Sequence, residues 1–575
     1  MTRRIILAAL LIGIVLWLTP ILFPTPKTPP RAGSVLPPSA TSGTPSGVAA
    51  TAGTTTSVGS TTGAAAPNAP VMQGASASTP AMATARPETT TIVGPRAELR
   101  FSSLGATFIG ATMKDYRSLQ RNGSANVELA RPNEPLLTYA IATSTDTIPL
   151  AGTPFTTRRL GDGAVEYDAA TRAGQVTLRY AIVPDSYVVR VAGTLQGAPA
   201  GSNLLVALPQ GLRSAEADTV DDARHLAIAY KRKTDDAKGV SFSRVDPGKQ
   251  ELIPGPITWA VTKSKYFLVA VAARDTAHPF GPLTITGLPR ASKAVTHMAG
   301  TLQVPLGDGG FSFDVYAGPQ EWRRLRALGR DLDTANPYGG FLQGIVQPFA
   351  TLVMRALLWL HETFRMSYGW VLVLFGVMIR LLTWPLNQSA MRTSLKMQRI
   401  QPELQELQKK YRSDPQRLNA EMMRLYKEHD MSPFSSLAGC MPMLIPMPIL
   451  FALFFVFQNT IEFRGVPFLW LPDISLRDPY YILPVLMGIS MFLLSWIGMR
   501  GVPPNPQAKM MAYVMPIVMT VIFFRFPAGL NLYYTVQNIV TIPQQWMLSK
   551  ERAKANLRPV VSTPAPARVR RGSQA

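Results

Sequence analysis

The distribution of apolar and polar positions divides the chain into distinct textures. Met1–Phe23 is an apolar run behind Arg3 and Arg4. It is long and ends in Pro and Phe with no small-residue cleavage site after it. It therefore reads as an uncleaved transmembrane anchor with a cytoplasmic N-terminus, in preference to a cleaved signal. Residues 24–90 are almost all Pro, Thr, Ser, Ala and Gly, with Lys27, Arg31, Arg86 and Glu88 as their charges. Such a segment buries too little apolar surface to offset its chain entropy, so a disordered tether is expected. Between residues 91 and 325 the period drops to two. Glu98–Ser102, Gln175–Tyr180, Tyr187–Val191, Tyr266–Val271 and Gly310–Tyr316 alternate, punctuated by Asp162-Gly163, Pro184-Asp185 and Pro247-Gly248. This predicts an all-β domain of sandwich type. Within it, Asp221 and Asp222 are expected on a solvated loop and not in a catalytic pair.

From residue 326 the period lengthens. Phe341, Ile345, Phe349, Leu352, Ala356 and Leu360 recur at helical spacing, interrupted by Gly339-Gly340 and Pro348. Residues 326–366 are read as an amphipathic helix lying on the outer membrane surface. Residues 367–548 then carry apolar segments at Tyr368–Leu386, Met441–Phe457, Ile482–Met499, Met510–Phe524 and Leu530–Leu548. Between the first two, residues 390–430 turn polar and basic. There Ile400, Leu404, Leu407 and Tyr411, and then Leu418, Met422 and Leu425, fall at helical steps. Asp414-Pro415 between them supplies an N-cap and a first helical position. Two short antiparallel amphipathic helices are expected, serving either as a basic docking arm or as a solvated coiled-coil spacer. Residues 549–575 read as a basic, disordered cytoplasmic tail. Six spans with both termini in the cytoplasm make every loop charge consistent, since short basic loops stay on that side.

Composition supports the membrane reading. The chain is 47% hydrophobic and 16% charged, against about a quarter charged in soluble proteins. Its net charge of +22 sits largely beside apolar spans, so the positive-inside rule accounts for much of it without nucleic acid. The single cysteine, Cys440, excludes an intrachain disulfide framework and a Cys-based metal site. The five histidines show no ligand spacing. No cofactor is called for.

One residue conflicts with its surroundings. Arg380 lies inside the span Tyr368–Leu386, where a guanidinium costs about 2.5–3.5 kcal/mol on insertion scales. It lies roughly 9 Å of helix from the Leu386 end, so it could snorkel to the headgroups. The sixth span argues for a wet interior instead. Asn531, Tyr533, Tyr534, Gln537, Asn538, Gln544 and Gln545 stud it, and amides at that density face another helix or water.

These residues carry a resemblance. Arg380 followed by Pro385-Leu386, the basic hairpin with Gln401-Pro402 and Glu421-Met422-Met423, and the Pro-rich third span fit one family. So do Asp478-Pro-Tyr-Tyr-Ile-Leu-Pro484 and Phe526-Pro-Ala-Gly-Leu-Asn-Leu-Tyr-Tyr534. Together they make residues 337–548 similar to the YidC/Oxa/Alb membrane protein insertases. The anchor, tether and β domain look like the YidC form of bacteria with a periplasm. The tether is longer and poorer in charge than that form leads one to expect. Gly376 also stands one turn before Arg380, where some members place a polar residue.

The resemblance implies a polytopic α-helical membrane protein of six transmembrane helices with a periplasmic β domain of supersandwich type. It implies an insertase and folding chaperone, not an enzyme, working alone or with the Sec translocon in the cytoplasmic (inner) membrane. Nascent membrane proteins would be the substrates. Arg380, Tyr533, Tyr534, Gln537 and Asn538 would line the groove, with Tyr534 stacked on Arg380 by a cation–π contact. The hairpin and tail imply a ribosome contact, with anionic membrane lipid as the competing partner of the tail. Two other classes are opposed by the residues. A solute transporter should show inverted repeats, and a periplasmic enzyme should show a catalytic constellation.

Overall fold

The computed structural model describes residues 87–556, apart from 121–124, 276, 289–296, 337–342, 413, 429–446 and 501–505. The expected anchor, nearly all of the tether, Cys440 and the tail beyond residue 556 lie outside the described residues.

Residues 89–319 form the β domain, all of whose strand pairs are antiparallel. A nine-stranded sheet runs in the order 238–241, 227–232, 257–263, 267–273, 310–319, 188–196, 174–182, 164–171 and 156–159. A six-stranded sheet has the order 250–253, 283–287, 298–305, 203–207, 138–142 and 147–149, and a four-stranded sheet joins 89–93, 97–102, 107–117 and 126–128. Every alternating run picked from the sequence falls within, or within one residue of, a strand. The run read as alternating at Tyr266–Val271 is corrected: the central strands Ile257–Lys263 and Phe267–Ala273 are buried along their whole length, as expected of strands covered on both faces. Tyr180 crosses the core to donate to the Ala106 carbonyl at 2.5 Å, with the Tyr139 hydroxyl 2.9 Å away. Buried hydroxyls need such partners. Gly248 at φ +77° and Asp185 at φ +53° make the left-handed turns that Pro247-Gly248 and Pro184-Asp185 announced.

Asp221 and Asp222 correct one expectation. They sit on a short helix, Thr219–Arg224, and not on a solvated loop. Asp222 is buried and accepts from the Lys265 backbone amide at 3.0 Å, while Lys265 Nζ reaches Asp221 at 2.8 Å. The pair anchors one segment to another.

Among the described residues a short helix, Trp322–Ala327, is followed by seven more: α1 Gln343–Phe364, α2 Tyr368–Lys410, α3 Pro415–Glu428, α4 Met447–Asn459, α5 Ile482–Gly498, α6 Pro506–Phe523 and α7 Ala528–Asn556. α7 packs against α2, α4 and α5, α1 packs against α4 and α2, and α6 packs on α5. Two boundaries differ from the sequence reading. The span with Arg380 and the first hairpin helix are one uninterrupted helix of 43 residues, roughly 65 Å long at 1.5 Å per residue. α7 continues through Asn556, so the start of the supposed tail is helical. The third span is described only from Met447 onward. α1 buries Val346, Ala350, Val353, Leu357 and Leu360, whereas Phe349 and Leu352 from the expected stripe are exposed. The helix is apolar on two faces, so spacing alone did not identify the packed one.

The hairpin is present as α2 and α3, closed by Ile400, Leu404, Leu425 and Tyr426 with Leu407 and Met422 against them. Asp414 caps α3 by accepting from the Arg417 amide at 3.1 Å.

By length and composition, one stretch of helix among the described residues can cross a membrane, Tyr368–Pro385. Ile482–Gly498 and Lys509–Phe523 are shorter apolar helices. Their outward faces are apolar. Val485, Ile489, Phe492, Leu493 and Trp496 of α5 are exposed, as are Met511, Val514, Ile517, Val518 and Val521 of α6. A soluble bundle would bury such residues.

The β domain meets the bundle through the segment after α4. Ile461 belongs to the β-domain core. Arg464 follows, its side chain 4% exposed, with Nε 2.8 and 3.0 Å from the two Glu216 carboxylate oxygens. It also donates to the Arg117 carbonyl at 3.0 Å and the Ala215 carbonyl at 3.2 Å, and lies 5.4 Å from the Phe267 ring. Burial pushes the Glu216 carboxyl up to about 7, against the pull of Arg464.

Candidate functional site

The residues singled out by the sequence converge where α2 crosses α7. Gly376 makes the crossing close: a Cβ added there would meet Val536 Cγ1 at 3.2 Å and Tyr533 Cδ2 at 3.6 Å. With the backbone this near, Gln537 donates to the Gly376 carbonyl at 2.9 Å and to the Tyr533 hydroxyl at 3.1 Å. Position 376, which lacks a polar side chain, thus receives a polar contact from the facing helix.

One turn further along α2, Arg380 is half-buried and donates from Nη2 to Gln544 Oε1 at 2.5 Å. Gln544 is 1% exposed, and its amide nitrogen lies 3.4 Å from the Trp384 carbonyl. Arg380 Nε is buried without a hydrogen-bond partner among the described residues. Its neighbours Leu381 and Leu382 are exposed. The guanidinium therefore points into the helix crossing while the apolar side chains beside it face outward. An arginine reaching for headgroups would not be held by a buried amide.

The other nominated residues divide between two faces of α7. Tyr533 is buried, with Phe375 at 6.2 Å and Phe457 at 6.5 Å between ring centroids. Asn538 turns to α5 and donates to Ser490 Oγ at 3.1 Å. Tyr534 corrects the sequence reading. Its ring lies edge-on to Phe523 at 5.2 Å and Tyr533 at 5.5 Å, and among the described residues no ring stacks on Arg380. Adjacent residues on a helix point about 100° apart, so Tyr533 and Tyr534 cannot both face α2. The Tyr534 hydroxyl and Asn531 Oδ1 are buried without partners among the described residues. In the sequence Gln544 is one amide among several. Its signal was its distance from Gln537: seven residues is two turns, which puts both on the face toward α2.

The crossing of α2 and α7 thus presents a fixed positive charge, with Nε free among the described residues, beside a row of amides in helices whose outer surfaces are apolar. A fixed positive charge beside amides attracts a polar or anionic group. No group of carboxylates, cysteines or histidines that could hold a metal occurs among the described residues.

Known families match both halves of the chain. Residues 359–555 match the family described as "60Kd inner membrane protein", and residues 89–352 match the one described as "YidC periplasmic domain". A protein of Anaeromyxobacter dehalogenans (strain 2CP-C) named membrane protein insertase YidC is 36% identical over 318 residues, 55% of this chain and 56% of its own. Its namesake from Burkholderia ambifaria (strain MC40-6) is 38% identical over 250 residues, covering 43% of this chain and 42% of its own. The chain thus spans about half the length of the curated relatives it matches. A crystal structure of active YidC insertase with the first transmembrane domain resolved matches at 16% identity and a TM-score of 0.32, covering 80% of this chain and 92% of that one. With one family matching the helical region and the other the β domain, the chain belongs to the YidC family of inner membrane proteins, in the form that carries a periplasmic domain.

Proposed function

We propose that the chain is a membrane protein insertase and folding chaperone of the inner membrane, not an enzyme, acting alone or beside the Sec translocon. The observation that carries this reading is the Arg380–Gln544 contact buried between α2 and α7 inside a bundle with apolar outer faces. Moving the polar flank of a nascent span through hydrocarbon costs several kcal/mol per unsatisfied group. A polar groove part-way across shortens the dry path, and its positive charge attracts acidic flanks. The apolar span then leaves sideways into lipid, driven by the burial of its apolar surface. Arg380, Gln537 and Tyr533 form the groove wall at this crossing. Tyr534 and Asn538 line its α5 and α6 side.

In the proposed arrangement six helices span the membrane, the β domain is periplasmic, and both termini are cytoplasmic. α1 lies on the periplasmic surface, supported by its second, exposed apolar face of Phe349, Leu352 and Trp359. The hairpin of α2 and α3 with the basic C-terminal segment contacts the ribosome or anionic lipid. Depletion of the protein in cells tests the reading. Small one- and two-span proteins with acidic flanks should then fail to insert, and their normal insertion would refute it.

A further inference from the structure

We propose that Gln544 is the resting occupant of the Arg380 guanidinium and sets which flanking segments displace it. This rests on the insertase reading above. An arginine binds a carboxylate most strongly side-on, through Nε and the Nη on the same side, with two parallel hydrogen bonds. Arg380 Nε has no partner among the described residues, whereas Nη2 is held at 2.5 Å by Gln544 Oε1. The side-on position is half filled by a neutral amide. A carboxylate that takes it must release Gln544, whose amide nitrogen stays near the Trp384 carbonyl at 3.4 Å.

The exchange discriminates by chemistry. A carboxylate replaces one bond to a neutral acceptor with two to an anionic one, so displacement is favourable. A hydroxyl or amide from the incoming chain only replaces like with like. Gln544 thereby acts as a positioning residue: it steadies the guanidinium in the resting groove and imposes a threshold that acidic flanks pass most easily. Because α7 holds Gln544 at 1% exposure, this occupant is always at hand and competes with every ligand of Arg380.

The test uses the full chain in proteoliposomes and three single-span peptides with identical apolar segments. Their translocated flanks carry two Asp, two Ser or no polar residue, and insertion is read by protease protection at limiting peptide. Gln544→Glu places a permanent counter-ion on Arg380 and should slow the Asp peptide about tenfold more than it slows the peptide without a polar flank. Gln544→Met keeps length and burial without an acceptor, and should speed the Asp and Ser peptides about two- to threefold. Wild-type rates for the Asp peptide in both variants would overturn the inference. So would equal slowing of all three peptides, which marks a purely structural role. If wild-type protein inserts no faster than protein-free liposomes, the insertase reading itself falls, and this inference with it.

Discussion

Arg464→Ala tests whether the joint between the β domain and the bundle holds as its geometry implies. Truncation removes two contacts to Glu216 and two donations to backbone carbonyls, and strands a carboxylate whose side chain is 6% exposed. Losing one partner of a buried ion pair costs about 3–5 kcal/mol. The low end applies near neutral pH, because burial already pushes Glu216 up to about 7 with the arginine in place. Without Arg464 it rises further, so the carboxyl takes a proton and does not stay charged. A loss of about 3 kcal/mol, more than a hundredfold in the unfolding equilibrium, is therefore expected at pH 7. Urea unfolding of the β domain in detergent, with Arg464→Ala, Glu216→Gln and the double variant, measures it. The double variant should be little worse than Arg464→Ala alone, giving a coupling of about 1.5 kcal/mol or more. A cost for Arg464→Ala below about 1 kcal/mol, or additive single effects, would refute the reasoning.

Burial pushes the Glu462 carboxyl up to about 7, helped by the nearby Glu321 charge. A native pKa raised above the unfolded value stabilises fully below about 4.5 and loses that contribution as pH rises through 7, so urea midpoints should fall between pH 5 and pH 8. Glu462→Gln should flatten that profile, and an unchanged slope would count against the assignment. Arg380→Ala should impair insertion of acidic-flank substrates in depleted cells. Arg380→Lys keeps the charge and loses only the side-on geometry, so it should stay nearer wild type; equal failure of both variants would show that geometry outweighs charge. Gly369→Ala directs a Cβ to within 2.0 Å of the Phe468 ring, which packs edge-on to Trp370 at 5.3 Å. Forcing that ring aside should cost about 1–3 kcal/mol. Thermal unfolding in detergent reads it, and an unshifted midpoint would contradict the packing.

What could be read in the sequence, and what could not, follows from the range over which each feature is determined. The strands were legible because alternation is a local consequence of one face meeting a core. The hairpin was legible because Ile400, Leu404 and Leu425 repeat at helical steps. The continuity of α2 past Leu386 was not, because polarity changes there while helix hydrogen bonds, which link residues four apart, are indifferent to the change of solvent. A polarity boundary marks where the environment changes, and the backbone need not break at it. Nor could spacing identify the packed face of α1, whose two apolar faces meet protein on one side and the exterior on the other.

The site was legible in composition and not in pairing. That Arg380 and the amides of the last helix needed each other followed from the cost of isolating either in an apolar bundle. Which amide meets the guanidinium depends on how far α7 is rotated against α2. Gly376 governs that rotation by letting Val536 and Tyr533 approach the backbone. Once Gln537 is held on the Gly376 carbonyl, the residue two turns on comes to Arg380, so Gln544 becomes its partner and Tyr534 is turned away. The small residue one turn before the arginine therefore decides, through backbone proximity, which side chain the arginine meets. Enlarging Gly376 should disturb Arg380 without touching it.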